Sequence, residues 1–416
     1  MANSQAVRNS MKRTIKTLGV LLAASMVLSA AGCGSSGSSQ ASSAAPASSQ
    51  AASSGAASQA APASTEGSIK IAVAGPMTGD NAEYGKGFLN AAQLKADEWN
   101  AAGGVIGKQV EIVAYDDKNS SEEAASIAQK IVSEGDIVGV IGHFASGVCM
   151  TAAPVYQENK IIEISPSASH PDYSGIGNYI FRNNTVINVE AAAGLDIAIN
   201  DLGKKNIGII SILTDWGTST STIVKQLIEE KAGEGVKVVA HEEVMEGSDD
   251  YSPAITKLNA AGADVVICVG MYNLLAPVAR QYKQVNPDIA IVGFSNAYSQ
   301  QLLELGGSAV EGVRFPVIFF SGSEKADIKD YVTRYTDQFG AAPSALTSQA
   351  YDSVGMLLEA IETAGTTDAE KVRDQLNQIE YPGVTGNTQF DDNGDVHKEF
   401  VKVVVKDGKF VEAEAK

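Results

Sequence analysis

Three side chains that enzymes favour stand within seven residues in the stretch VIGHFASGVC, Val140–Cys149: His143, Ser146 and Cys149. A serine or cysteine beside a histidine can act as an activated nucleophile. The same residues can instead form a turn that grips a ligand and leaves it unchanged. Spacing argues against the enzyme. An esterase elbow needs G-x-S-x-G, and the positions before Gly147 are His143, Phe144, Ala145 and Ser146, without the leading glycine. GGVIGKQ, Gly103–Gln109, looks like a phosphate loop. It has Ala102 where that loop needs glycine and Gln109 where it needs the Mg²⁺-binding Ser or Thr. No G-x-G-x-x-G follows the first strand of either half of the chain. FDDNGD, Phe390–Asp395, lacks the spacing and the late glutamate of a calcium loop, and reads as a polar turn. The four histidines, at 143, 170, 241 and 397, are scattered. No catalytic residue, metal site or cofactor is therefore expected. His143 reads as a hydrogen-bonded structural residue. Cys149, one helical turn beyond Ser146, reads as core.

Ser146 has a different use. It follows the apolar strand IVGVIG, where a helix begins. A helix start carries unpaired N–H groups and a partial positive charge, so it suits a carboxylate, and the Ser146 hydroxyl could add a donor. The plainer alternative is that Ser146 only caps the helix. A second polar turn, ISPSASHP (Ile164–Pro171), follows the next strand and offers Ser165, Ser167 and Ser169. Two such turns at the carboxyl edge of an open α/β sheet lie where ligands bind.

The elements that would position these turns repeat. IKIAVA, QVEIVAYDD, IVGVIG and IIEIS are strands separated by helical patterns, the first helix carrying Phe88, Ala91, Ala92 and Trp99 on one face. Ser120 or Ser121 is the expected cap of the second helix. A second series follows: NIGIIS, a helix from about Trp216, KVVAHEEV, a helix from about Ser252, DVVICVG, a helix near Leu274, and IAIVGF. Continuous apolar strands imply parallel sheets covered on both faces. The fold class is α/β, with two doubly wound parallel-sheet lobes. Residues from about Asp327 to Gln378 read as helices, and KEFVKVVVKDGKFVEA reads as a strand pair turning at Lys406-Asp407-Gly408.

The 416-residue chain is acidic, with a formal charge of −18 and apolar residues at 44%. That argues against nucleic acid as a partner and against electrostatic docking on anionic lipid. Residues 1–32 read as a signal peptide: Lys12, Arg13 and Lys16, then an apolar run from Leu18 to Leu28, then small residues, too short for a membrane span. Ala30-Ala31-Gly32-Cys33 resembles a bacterial lipobox, which makes Cys33 the lipidated first residue. The alternative is plain cleavage near Ala31 and release. Residues 33–67 are almost entirely Ser, Ala, Gly, Gln and Pro, the composition of a flexible tether spanning roughly 30 Å. Cys149 and Cys268 are expected to be buried free thiols.

IKIAVAGPMTGDNAEYGKG, NAAGGVIGKQVEIVAYDDKNS, VIGHFASG, ISPSASHP, YIFRNN and QFDDNGD occur in that order. Together they resemble the leucine–isoleucine–valine-type substrate-binding proteins of ABC importers, over about residues 68–416. The resemblance implies a type I periplasmic-binding-protein fold, with two lobes joined by a three-crossover hinge: residues 68–187 plus 317–393, and 188–316 plus 394–416. It implies that Ser146 holds a ligand carboxylate with Phe144 and Ala145 beside it. It implies that the turn Ser167, Ala168 and Ser169 serves the α-amino group, and that Tyr84, Trp216, Met271 and Tyr272 form walls. Ser295 stands where amino-acid binders often carry an acid, and Asp215 is a possible substitute. The expected function is capture of a small amino acid, branched-chain or related, for delivery to an ABC permease. The alternatives are a sensory ligand-binding subunit and a binder of another small carboxylate. The expected state is an exported monomer held on the outer face of the bacterial cytoplasmic membrane by lipid alone, or else free in the periplasm.

Overall fold

The computed structural model describes residues 67–414. The expected signal peptide, Cys33 and the tether lie outside the described residues. The first series is β1 (Ile69–Gly75), α1 (Ala82–Ala101), β2 (Val110–Asp116), α2 (Ser121–Glu134), β3 (Ile137–Ile141), α3 (Ser146–Glu158), β4 (Ile162–Ser165) and β5 (Ile180–Arg182). The second is α4 (Ile187–Asp196), β6 (Asn206–Ile212), α5 (Asp215–Glu230), β7 (Lys237–Val244), α6 (Ser252–Ala260), β8 (Val265–Val269), α7 (Tyr272–Val285), β9 (Ala290–Val292), α8 (Gln300–Gly306) and β10 (Arg314–Val317). The last is α9 (Ala326–Phe339), α10 (Ala345–Ala364), α11 (Ala369–Leu376), β11 (Tyr381–Gly383), β12 (Gly386–Thr388), β13 (Val401–Lys406) and β14 (Lys409–Glu412).

Two main sheets result. The first runs β2-β1-β3-β4-β5, all parallel. The second runs β14-β13-β10-β9-β8-β6-β7, parallel except for the C-terminal β13 and β14. Alternation along β1 shows how a strand serves two covered faces. Ile71 and Val73 join the core that includes Phe88 of α1 and Leu357 of α10, whereas Ala72 and Ala74 join a second core with α2 and α3. Side chains two apart share a face, so one buried strand feeds both layers. The edge strands depart from the expectation of strands covered on both faces: β7 is half-exposed to exposed along its whole length, and β2 is exposed at Glu111 and Ala114. An edge has fewer neighbours to bury it.

The chain crosses between sheets three times: between β5 and β6, after β10, and before β13. The expected last boundary at Gly394 is early. The Arg182 N–H donates to the Gly394 carbonyl at 3.0 Å, and the Arg182 guanidinium pairs with Asp395 at 2.6 Å, so the chain still rides on the first sheet there. Val396 still bridges Phe390 and the Lys398 ammonium donates to Thr385 at 3.0 Å, so the crossing itself falls between Lys398 and Val401.

Candidate ligand-binding cleft

Both series deliver a helix start to the same place. β3 ends at Ile141, and Gly142, with φ of +149°, turns the chain; a Cβ there would lie 2.1 Å from the Ala74 carbonyl oxygen. Only glycine lets the turn pass that close to β1. In the second series Gly217, within the first turn of α5, allows a similarly close approach to β6, where a Cβ would lie 2.0 Å from the Ile212 carbonyl oxygen. Thr214 caps α5 by accepting from the Gly217 N–H at 3.1 Å. The starts of α3 and α5 then approach across the gap, with a Cβ position on Gly147 only 2.8 Å from Asp215 Oδ2.

Between them lies a cavity of about 160 Å³. The first sheet's turns contribute Phe144, Ala145, Ser146, Ser167 and Ser169; the opposing side contributes Glu190, Asp215, Trp216, Glu246, Met271 and Ser295. Ser146 is the first residue of α3 rather than its cap; Ala145 occupies the cap position and makes no side-chain cap bond. The Ser146 Oγ instead accepts the backbone N–H groups of Ser169 at 3.2 Å and His170 at 3.3 Å. Its acceptor sites are thereby used, and its own hydrogen remains to be donated. The opening N–H groups of α3 have no partner inside the helix, so this side of the cavity is a cluster of donors. Ser167 donates its hydroxyl to the Phe144 carbonyl at 2.7 Å and locks the two turns together. The Ser169 Oγ accepts from Trp216 Nε1 at 2.9 Å, a bond that joins the two lobes.

Three residues expected in the site stand elsewhere. Tyr84, in the first turn of α1, is buried behind Phe144: the rings stack with centroids 4.3 Å apart, and the Tyr84 hydroxyl donates to the Asn296 carbonyl at 2.7 Å. It fastens the lobes rather than lining the cavity. Tyr272 points to another depression and donates to the Asp80 carbonyl at 3.2 Å. Ala168 is fully buried and absent from the cavity wall; its N–H donates to Ser165 Oγ. The remaining expected residues, Met271 and Ser295 among them, line the cavity.

The question posed by His143 has a geometric answer. Its Nδ1 lies 2.6 Å from Asp117 and its Nε2 3.1 Å from the Tyr156 hydroxyl, both away from Ser146. Cys149 is wholly buried, and burial pushes its thiol well above the usual range. The three residues form no nucleophile–base pair. Cys268 is likewise a buried free thiol.

Sequence reasoning missed Glu190 and Glu246. Glu246 follows β7 at the sheet edge, a place the carboxyl-edge rule could have flagged. Its Oε1 accepts amide N–H groups of Asn81 at 3.1 Å and Asn273 at 3.2 Å. Glu190 sits in the first turn of α4, just after the short strand β5 and its polar turn, and is buried. Its Oε1 accepts the Ser295 N–H at 2.6 Å, and burial raises its carboxyl to about 7 despite that bond.

Two doubly wound lobes with a shared cavity between the carboxyl ends of their strands define a type I periplasmic-binding-protein fold. The chain belongs to the periplasmic binding protein family, whose model matches residues 68–409. It is 31% identical to a leucine-, isoleucine-, valine-, threonine- and alanine-binding protein of Pseudomonas aeruginosa, over 79% of this chain and 87% of that one. A leucine-binding protein from Thermotoga maritima superposes with a TM-score of 0.77 at 27% identity, covering 83% of this chain and 98% of that one. A branched-chain amino acid transporter substrate-binding protein from Streptococcus pneumoniae, solved with isoleucine, gives a TM-score of 0.77 at 25% identity, covering 83% and 98%.

Proposed function

We propose that the protein captures a small amino acid with an uncharged, aliphatic side chain, branched-chain or related, and delivers it unchanged to an ABC importer. One observation carries this reading. A small interlobe cavity joins the free Ser146 hydroxyl hydrogen and the α3 start, a carboxylate site, to apolar walls of Phe144, Trp216 and Met271. The names of its relatives support the choice of ligand and of transporter. Binding shifts an equilibrium between open and closed lobes, and the permease reads the closed form. Four interlobe bonds are available to hold that form: Tyr84 to Asn296, Trp216 to Ser169, Tyr272 to Asp80, and Asn81 to Glu246. We take the lobes as residues 68–187 plus 317–398 and 188–316 plus 399–416.

We further propose that residues 1–32 are removed and that Cys33, lipidated, holds a monomer on the outer face of the cytoplasmic membrane. No described helix is long and apolar enough to cross a membrane. In this reading the acyl chains on Cys33 carry the attachment. Mass spectrometry of freshly purified protein tests both proposals. Denaturation should release an aliphatic amino acid, and the N-terminal peptide should begin at an acylated Cys33. A released ligand of another class contradicts the first. An unmodified terminus near Gly32 contradicts the second.

A further inference from the structure

A carboxylate site reads only half of an amino acid. An ammonium group taken from water into a closed cavity needs an anionic partner, because an unpaired buried charge is costly. No lysine, arginine or histidine lines the cavity, whereas three carboxylates do: Glu190, Asp215 and Glu246. Position 295, which faces the same space, holds a serine that cannot supply the charge.

The three acids are not equivalent. Asp215 is exposed and stands against Gly147, beside the donors that would take the ligand carboxylate, so it is at the wrong end. Glu246 is half-buried, and its Oε1 already receives two amide donors. Glu190 is only 3% exposed, and its contacts are neutral: the Ser295 N–H at 2.6 Å and the Ser295 hydroxyl. Its desolvation is left partly unanswered by the Ser295 bonds, which is why burial lifts its carboxyl to about 7. A cation arriving from the cavity would complete its environment.

We propose that Glu190 is the residue that pairs with the ligand's ammonium group, held in place by the Ser295 N–H. The assignment rests on the amino-acid reading above. It makes α4, the first helix after the first interlobe crossing, part of the ligand shell. Closing the hinge and recognising the amine then involve the same element.

Calorimetry on the full-length protein and its Glu190→Gln variant tests this, with leucine and its deaminated analogue 4-methylpentanoate as probes. Glutamine keeps the shape and removes the charge. The variant should lose about 10- to 150-fold in affinity for leucine, the span of a charge-assisted hydrogen bond, with little change toward 4-methylpentanoate. Equal loss for both probes, with an unchanged melting temperature of the empty protein, overturns the assignment and gives Glu190 a shaping role only. Unchanged affinity for leucine overturns it as well. If the wild-type protein binds 4-methylpentanoate and neither leucine nor any other amino acid, the amino-acid reading itself fails and Glu190 loses its role with it. A variant that melts far below the wild type is replaced by Glu190→Asp, which keeps the charge: retained discrimination between the two probes supports the assignment, and lost discrimination opposes it.

Discussion

The two walls of the cavity are built on opposite principles. On the first lobe the polar groups are neutral and tied together: Ser167 bonds the Phe144 carbonyl, Ser146 accepts two backbone N–H groups, and what remains facing the ligand is mostly donor. On the other side the polar groups are mostly acceptors, and Glu190 among them is buried with only neutral partners. One wall is finished without a ligand and the other is not. The difference gives the ligand a direction, carboxylate toward α3 and ammonium toward α4. It also suggests a division of labour. A preformed donor cluster costs little to complete, while the acid gains most when a cation arrives.

The largest expected effect comes from breaking the finished wall. Ser146→Ala removes the donated hydrogen and the anchor for the N–H groups of Ser169 and His170. Affinity for the amino acid should fall by about 10- to 150-fold, and affinity for its deaminated analogue should fall alongside it. A loss confined to the amino acid would show that the two walls had been assigned the wrong way round. Competition binding with the two probes checks it.

A smaller effect follows from the unfinished wall. Glu190 must be ionised to meet an ammonium group, and burial raises its carboxyl to about 7. Affinity for an amino acid should therefore rise about tenfold between pH 6 and pH 8, with a proton released on binding at the lower end. The other ionisable groups lining the cavity are Asp215, on α5, and Glu246, just after β7. The Glu190→Gln variant separates their contribution, and its affinity should be flat across this range. Stability of the empty protein carries the opposite sign. The Glu190 carboxyl is raised from its ordinary 4.5, so its contribution is full below about 4.5 and is lost as pH rises through 7. Glu83, also raised to about 7 by burial, adds to that loss but lies outside the cavity. Only binding, not melting, isolates Glu190.

The serines of the finished wall were legible in the sequence, and the buried acids of the unfinished one, Glu190 and Glu246, were not, for a physical reason. Ser146, Ser167 and Ser169 follow long apolar strands, and a strand followed by a polar turn and a helix start advertises a ligand edge. Trp216 and Met271, expected from the family resemblance, line the cavity from the second series. Glu190 follows a strand too short to advertise anything: β5 has three residues before the polar turn that leads into α4. It is one acid in the apolar stretch INVEAAAGLD, and only folding brings it against Ser295. A carboxylate in the first turn of a mostly apolar helix, well before the second acid Asp196, was the available signal. Tyr84 and Tyr272 failed in the other direction: sequence brings them near the cleft, but stacking on Phe144 and a bond to the Asp80 carbonyl turn them into interlobe fasteners. The strands β5 and β10, of three and four residues, are too short for periodicity to reveal. Pro316 within β10 further disguises it, although its partner β13 was read correctly.

The direction of the ligand is most directly tested by calorimetry of the wild-type protein at pH 8 with leucine, 4-methylpentanoate and 3-methylbutylamine, which share an aliphatic body and differ only in their charged ends. The opposed walls predict that leucine binds tightest, that the acid binds measurably but more weakly, and that the amine binds weakest because it lacks the group that engages Ser146 and the α3 start. If the amine binds as tightly as leucine, the donor wall contributes nothing, and the account of the cleft is contradicted.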